Sequence, residues 1–181
     1  MRIVGGSLSG RVLRAPKGAA TRPTSEKVRE AVFNILGRSI EGAAVLDLFA
    51  GSGALGIEAL SRGAAHATFV DSGKLPIQTL TANLAELGLA DRATVVQADV
   101  VRHVARLAGP YQLVFVDPPY ASDLAVRAVG ALPPACLAAD AQIVIEHDRR
   151  HVPPDALGSL LRTDQRRYGD TSVSFYTRGP T

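Results

Sequence analysis

Two short segments hold residue types that could do chemistry. The first is Asp117-Pro118-Pro119-Tyr120, placed directly after the apolar run 113–116. Each proline fixes φ and lacks an N–H, and a residue before proline is itself restricted. Such a segment is stiff, rich in acceptors and poor in donors, which suits an –NH₂ group. The Asp117 carboxylate and the Pro118 carbonyl can each accept one of its N–H bonds, while Tyr120 stacks on a planar ring. An amino group conjugated to a ring is a weak nucleophile. Holding it in line with an electrophilic carbon supplies much of the catalysis, and neither a metal nor a covalent intermediate is required. Taken alone, the four residues are equally well a Pro-Pro turn.

The second segment is the loop Asp47-Leu48-Phe49-Ala50-Gly51-Ser52-Gly53-Ala54-Leu55-Gly56. Gly51, Gly53 and Gly56 match the dinucleotide fingerprint, and Asp71 lies 20 residues beyond Gly51. A nicotinamide oxidoreductase is therefore one reading. Two features oppose it. A carboxylate at Asp47 disfavours a pyrophosphate and favours a cationic ligand, such as the amino and sulfonium groups of S-adenosylmethionine. Phe49-Ala50 also lengthen the turn before the glycines. In the methyl-donor reading, Gly51 and Gly53 let backbone approach the methionine moiety, and Gly56 lets a helix pack near the sheet. Asp71 accepts from the ribose hydroxyls and Asp99 from the adenine amino group. Each acid closes a strand-like run, where ligands bind in open α/β sheets.

The elements that must position these residues alternate regularly. Strand-like runs cover residues 44–49, 67–70, 93–96, 113–116 and 142–146. Helical spacing or composition covers 55–62, 75–87, 100–107 and 124–132. That order predicts a parallel sheet with helices on both faces. Two further strands, 160–168 and 172–177, meet at the turn dipeptide Gly169-Asp170 and predict a terminal hairpin with one antiparallel strand. Ahead of this unit, 2–4 and 11–13 could pair as a small hairpin. A helix then follows, capped by Thr24 or Ser25, with Val28, Ala31, Val32, Ile35 and Leu36 as its apolar face. Residues 1–40 read as an extension and 41–181 as the main domain.

Composition excludes several classes. The chain is 46% hydrophobic and 20% charged, enough to bury a core. No apolar run reaches the ~18 residues of a membrane span, and the first residues lack a signal peptide's apolar stretch, so a cytoplasmic protein without membrane contact is expected; a monomer is the expected state. The single cysteine, Cys136, makes an internal disulfide impossible and reads as a buried structural thiol. His66, His103, His147 and His151 show no ligand spacing, so no metal is expected. The charge is uneven: residues 1–40 carry a net +6 and residues 41–140 a net −4. A basic arm on a mildly acidic body suits a polyanion.

Together, the D-x-F-x-G-x-G loop and D-P-P-Y resemble the amino-group N-methyltransferases, which act on DNA adenine, RNA guanine or protein glutamine. Arg2-Ile3-Val4-Gly5-Gly6, Gly10-Arg11, Arg22-Pro23-Thr24, residues 28–36 and Tyr168-Gly169-Asp170-Thr171 narrow the resemblance to the RsmD-type 16S ribosomal RNA guanine-N2 methyltransferases. It runs nearly end to end. It implies a Rossmann-like class I methyltransferase fold: α/β, seven strands, mostly parallel with one antiparallel strand, plus an N-terminal hairpin and helix extension. It further implies S-adenosylmethionine bound by Asp47, Phe49, Gly51, Ser52, Gly53, Gly56, Asp71, Asp99 and Val100. Asp117, Pro118, Pro119 and Tyr120 would hold a guanine of 16S ribosomal RNA or the assembling small subunit. Arg2, Arg11, Arg14, Lys17, Arg22, Thr24, Lys27 and Arg29 would grip RNA. One departure is that Asp71-Ser72-Gly73-Lys74 lacks the second charged residue usual after the ribose acid. Adenine or glutamine as target, a nicotinamide enzyme and a non-catalytic RNA-binding module remain the alternatives.

Overall fold

The computed structural model describes residues 1–16, 25–119 and 123–179. Five strands, β1 (Ala44–Leu48), β2 (His66–Asp71), β3 (Ala93–Gln97), β4 (Tyr111–Val116) and β5 (Leu137–Asp148), run parallel. Three more follow: β6 (Ala156–Leu157), β7 (Leu160–Tyr168) and β8 (Thr171–Arg178). The sheet order is β3-β2-β1-β4-β5-β8-β7-β6. Eight strands therefore replace the expected seven, and two of them, β8 and β6, run against the rest. The extra strand is a two-residue edge, where Ala156 and Leu157 fold back on Leu161 and Leu160. A strand that short leaves no periodic signal to read.

The α-helices among the described residues are α1 (Glu26–Leu36), α2 (Ala54–Ser61), α3 (Lys74–Glu86), α4 (Val100–His103) and α5 (Leu124–Gly130). The sheet separates two cores. Leu113, Phe115 and Val144 pack on one face with residues of α1, α2 and α3, while Val114, Val116, Ile143 and Ile145 pack on the other with α4 and α5. The order inverts between β1 and β4: from β1 the chain winds outward through β2 to β3, then crosses back to β4 on the other side. Such a switch point opens a crevice at the carboxyl ends of the strands.

Two elements differ from expectation in ways that matter. The helix expected at 100–107 is α4 followed by a 3₁₀ turn, Val104–Arg106. More consequentially, α1 is rotated. Ser25 caps it, its Oγ accepting the Val28 N–H at 3.2 Å, but its buried side chains are Val28, Arg29, Val32, Phe33 and Leu36, and Ile35 is exposed. Phe33 packs against Phe115 with ring centroids 5.4 Å apart and lies beneath the Arg62 guanidinium. Arg29 enters the core because a partner waits there: Glu58 on α2, at 3.3 Å, with both side chains fully buried. Apolar periodicity cannot see a buried ion pair. The described part of residues 1–40 thus shares its core with the sheet. Its first residues pair as a hairpin, with Ile3 N–H to Arg11 C=O and Leu13 N–H to Met1 C=O at 2.9 and 2.8 Å.

Candidate active site

The crevice is a cleft of about 890 Å³. One wall is the glycine loop between β1 and α2, together with the Asp71–Gly73 turn after β2. The other is Asp117-Pro118-Pro119 after β4, the end of β5 and the tip of the β7–β8 hairpin. Asp47, Phe49, Gly51, Ser52, Asp71, Asp117, Pro118 and Pro119 all line it. The two segments singled out in the sequence therefore meet in one site. Gly53 and Gly56 lie behind the lining, and Asp99 and Val100 are not among the lining residues. Tyr120, Lys17, Arg22 and Thr24 lie outside the described residues.

The loop's shape follows from its hydrogen bonds. Gly53 is the N-cap of α2 at φ 84° and has no side chain to satisfy the first-turn amides. Asp47 does so from the strand below, accepting the Gly56 N–H at 2.9 Å. A Cβ at Gly56 would fall 2.3 Å from the Phe69 ring, so glycine is what allows α2 to lie this close to β2. Asp71 accepts the Gly51 N–H at 2.8 Å and the Gly73 N–H at 2.7 Å. A Cβ on Gly51 would meet no protein atom within 4 Å, leaving open space for a ligand against its backbone. Phe49 takes φ 60° to turn the chain into this loop, a strained conformation of the kind that concentrates at functional sites.

These bonds change the case against a dinucleotide. Burial raises the Asp47 carboxyl to about 8, with the nearby Asp71 adding to the rise and the Gly56 N–H opposing it. Asp47 is thus not the standing negative charge the sequence suggested. The stronger objection is that the Gly51 and Gly56 amides, which a pyrophosphate would need, already donate to protein carboxylates.

Several residues escaped the sequence reading. Asn83 on α3 is 1% exposed. Its side chain bonds the Arg14 N–H and C=O at 2.9 and 3.1 Å and the Ser52 C=O at 3.1 Å. It ties the N-terminal segment to the glycine loop, and Ala15, Pro16 and Met1 thereby reach the cleft. Its only signal was a polar residue on a face otherwise made of Leu80, Leu84 and Leu87. Glu58 is a second hub, accepting the Val4 and Gly5 N–H groups at 2.9 and 2.7 Å and pairing with Arg29 and Arg62. Glu146, His147, Asp148, His151, Pro153 and Pro154 form the far wall. The His147 ring nitrogens lie 2.9 Å from Asp148 C=O and 2.8 Å from Ser174 Oγ, and desolvation lowers its pKa. It is a structural histidine that happens to face the cleft.

The basic arm divides. Arg2, Arg11, Arg14 and Lys27 are exposed. Arg2 donates to Gly10 C=O at 2.9 Å, and Arg14 pairs with Glu86 at 3.0 Å. Arg29 does not belong with them. It is 0% exposed and spends its guanidinium on Glu58, Met1 Sδ and Arg2 C=O. It is an internal brace and no RNA ligand. Among the described residues, no helix is long and apolar enough to cross a membrane, and Cys136 is free and buried.

Sheet order, the switch-point cleft and the two walls define a Rossmann-like methyltransferase fold. Comparison with known proteins sharpens this. A family model described as "Conserved hypothetical protein 95" matches residues 1–177. The chain is 37% identical to ribosomal RNA small subunit methyltransferase D of Escherichia coli (strain K12), over 98% of this chain and 90% of that one. It is 42% identical to YlbH of Bacillus subtilis (strain 168), a protein named provisionally as an rRNA methyltransferase, over 98% and 99%. The solved yhhF chain of Escherichia coli superposes with a TM-score of 0.89 at 35% identity, covering 100% and 99%. The chain belongs to the family of ribosomal RNA small subunit methyltransferase D.

Proposed function

We propose that this chain transfers a methyl group from S-adenosylmethionine to the exocyclic N2 of a guanine in 16S ribosomal RNA. The observation that carries the reading is the meeting of the glycine loop and the Asp117-Pro118-Pro119 segment in one cleft. The residues fit the donor. Open space lies against Gly51, a buried carboxyl that a cation would ionise sits at Asp47, and the Asp71 carboxylate is fixed by two amides at the end of β2. When bound, S-adenosylmethionine supplies an electrophilic methyl group on a sulfonium.

The chain's own residues do the rest. Asp47 would pair with the ligand's ammonium, and Asp71 would accept from its ribose. Asp117 and the Pro118 carbonyl accept the two N–H bonds of the guanine amino group, which turns the nitrogen lone pair toward the methyl carbon. Once the amino nitrogen carries the new methyl group, the Asp117 carboxylate would take its surplus proton. The prolines' missing N–H groups keep competing donors out of this pocket. The guanine reaches it unstacked from its helix, while Arg2, Arg11, Arg14 and Lys27 of the extension hold RNA phosphates. Both walls come from one chain, so a monomer suffices, and its place of work is the cytoplasm, where small subunits assemble.

The test is methyl transfer from labelled S-adenosylmethionine to naked 16S RNA, 30S particles and DNA in parallel, followed by nucleoside analysis. N2-methylguanosine from an RNA substrate is the expected product. Label in N6-methyladenosine, or in protein alone, would overturn the reading.

A further inference from the structure

The neighbouring strand offers a second carboxylate at the target-base wall. Val116 of β4 pairs with Ile145 of β5, so one step further the parallel register brings Asp117 level with Glu146. Asp117 still continues the ladder, donating its N–H to Leu48 C=O at 3.4 Å. The face is also shared. Val116 and Ile145 pack into one core and Phe115 and Val144 into the other, and side chains alternate along a strand. Asp117 and Glu146 therefore fall on the same side of the sheet, about 5 Å apart across adjacent strands. Both line the cleft, and Glu146 is half-buried there.

We infer that Glu146 reads the base, accepting the N1–H of guanine beside the amino group held by Asp117. This rests on the guanine-N2 reading above. Its logic is the donor pattern of the Watson–Crick edge. In guanine the ring position next to the amino group carries a hydrogen, N1–H. In adenine and cytosine the corresponding nitrogen carries a lone pair. A carboxylate beside the amino pocket completes a bond with guanine and sets lone pair against lone pair for the other two. Asp117 and Pro118 recognise any –NH₂. Glu146 is what makes the site choose.

The test compares guanine with 2-aminopurine at the target position of the RNA substrate. 2-Aminopurine keeps the 2-amino group but has a lone pair at N1. Wild-type kcat/KM should fall about 100-fold on 2-aminopurine, the scale of losing one hydrogen bond to a charged group. The Glu146→Gln amide can donate to that lone pair. It should lose about 100-fold on guanine and bring the guanine to 2-aminopurine ratio to within about tenfold of unity. Glu146→Ala should lose the activity on guanine with no gain for the analogue. Affinity for S-adenosylhomocysteine should not move in either variant. Equal wild-type rates on the two bases overturn the assignment without recourse to any variant, as does an E146Q enzyme that keeps the wild-type ratio. A wild-type enzyme that makes N2-methylguanosine while failing these tests refutes the role of Glu146 alone. One that makes no N2-methylguanosine refutes the guanine reading and this inference together.

Discussion

The two walls of the cleft differ in their backbone: one is built on glycines, the other on prolines. On the glycine-loop wall, acids and amides satisfy one another: Asp47 takes the Gly56 N–H, Asp71 takes those of Gly51 and Gly73, and Asn83 clamps Ser52. On the facing wall, Pro118, Pro119, Pro153 and Pro154 remove donors, and the acids Asp117, Glu146 and Asp148 stand among them. A wall whose polar groups already have internal partners is fixed in shape before a ligand arrives, which suits a ligand that binds in every turnover. A wall whose prolines supply no N–H of their own suits a group that brings its own N–H bonds. The contrast matches the proposed division, with the first wall for the cofactor and the second for the amino group.

The sharpest way to break that division is Asp117→Ala. Transfer should fall about 10³-fold in kcat, the scale for removing a group that acts on the reacting atoms, while affinity for S-adenosylhomocysteine stays within about twofold of wild type. Isothermal titration beside a single-turnover assay separates the two effects. If cofactor affinity collapses together with transfer, the walls do not divide the work.

Next in size is Glu58→Ala, which tests what holds the first wall in place. Glu58 anchors Val4, Gly5, Arg29 and Arg62, and so docks the segment whose Ala15 and Pro16 reach the cleft. Removing it leaves Arg29 charged and buried. Breaking such a pair from one side costs about 3 kcal/mol or more. Denaturant unfolding should show that loss, and Arg29→Met with Glu58→Leu should recover much of it. No recovery in the double variant would mean that the backbone contacts to Val4 and Gly5 dominate.

That pair also marks where sequence reasoning stopped. The loop glycines, Asp47, Asp71 and Asp117 were legible because each stands at the end of an apolar strand, and strand ends in an alternating α/β chain converge on one edge. The sheet's parallel part was legible for the same reason. Arg29 was misread because a helix's buried face is inferred from apolar spacing, and a fully buried arginine mimics a solvated one. Asn83 and Glu58 were missed because the N-terminal amides they hold, of Arg14 and Gly5, lie 69 and 53 residues away in sequence. Nothing local signals a contact of that range. Asp99 was assigned to the ligand, yet in the fold it caps α4, accepting the Arg102 N–H at 2.9 Å.

A smaller effect sharpens the comparison through pH. Asp47 sits at about 8 when folded against 3.8 for the free side chain. The folded state therefore binds more protons than the unfolded one between those values, and stability falls as pH rises through that window. Asp47→Asn can still accept the Gly56 N–H through its amide oxygen but cannot ionise. The variant should gain on wild type steadily from pH 5 to pH 8.5 in thermal unfolding, by up to a few kcal/mol. Cofactor should reverse the order, because a bound ammonium favours the ionised acid. A pH-independent difference between the two proteins would show that Asp47 is already ionised, and the first wall would then be charged rather than neutral at rest.

The smallest effect concerns the arm, where the comparison is between arginines of one segment. Arg11 and Arg14 are exposed, Arg14 with only a surface pair to Glu86 at 3.0 Å, worth less than about 1 kcal/mol. Their replacement by Glu should leave the unfolding midpoint almost unchanged. If they hold phosphates, each loss should lower the slope of log affinity against log salt by about 0.7 to 0.9, and RNA affinity should fall by roughly tenfold for the pair, equally across RNA sequences. Arg29→Glu makes the contrast, because placing a second carboxylate against Glu58 should unfold the protein before RNA binding can be measured. A salt slope indifferent to Arg11 and Arg14 would move the RNA grip elsewhere, and the exposed Arg149, Arg150, Arg166 and Arg167 at the hairpin end of the same cleft would be the residues to test next.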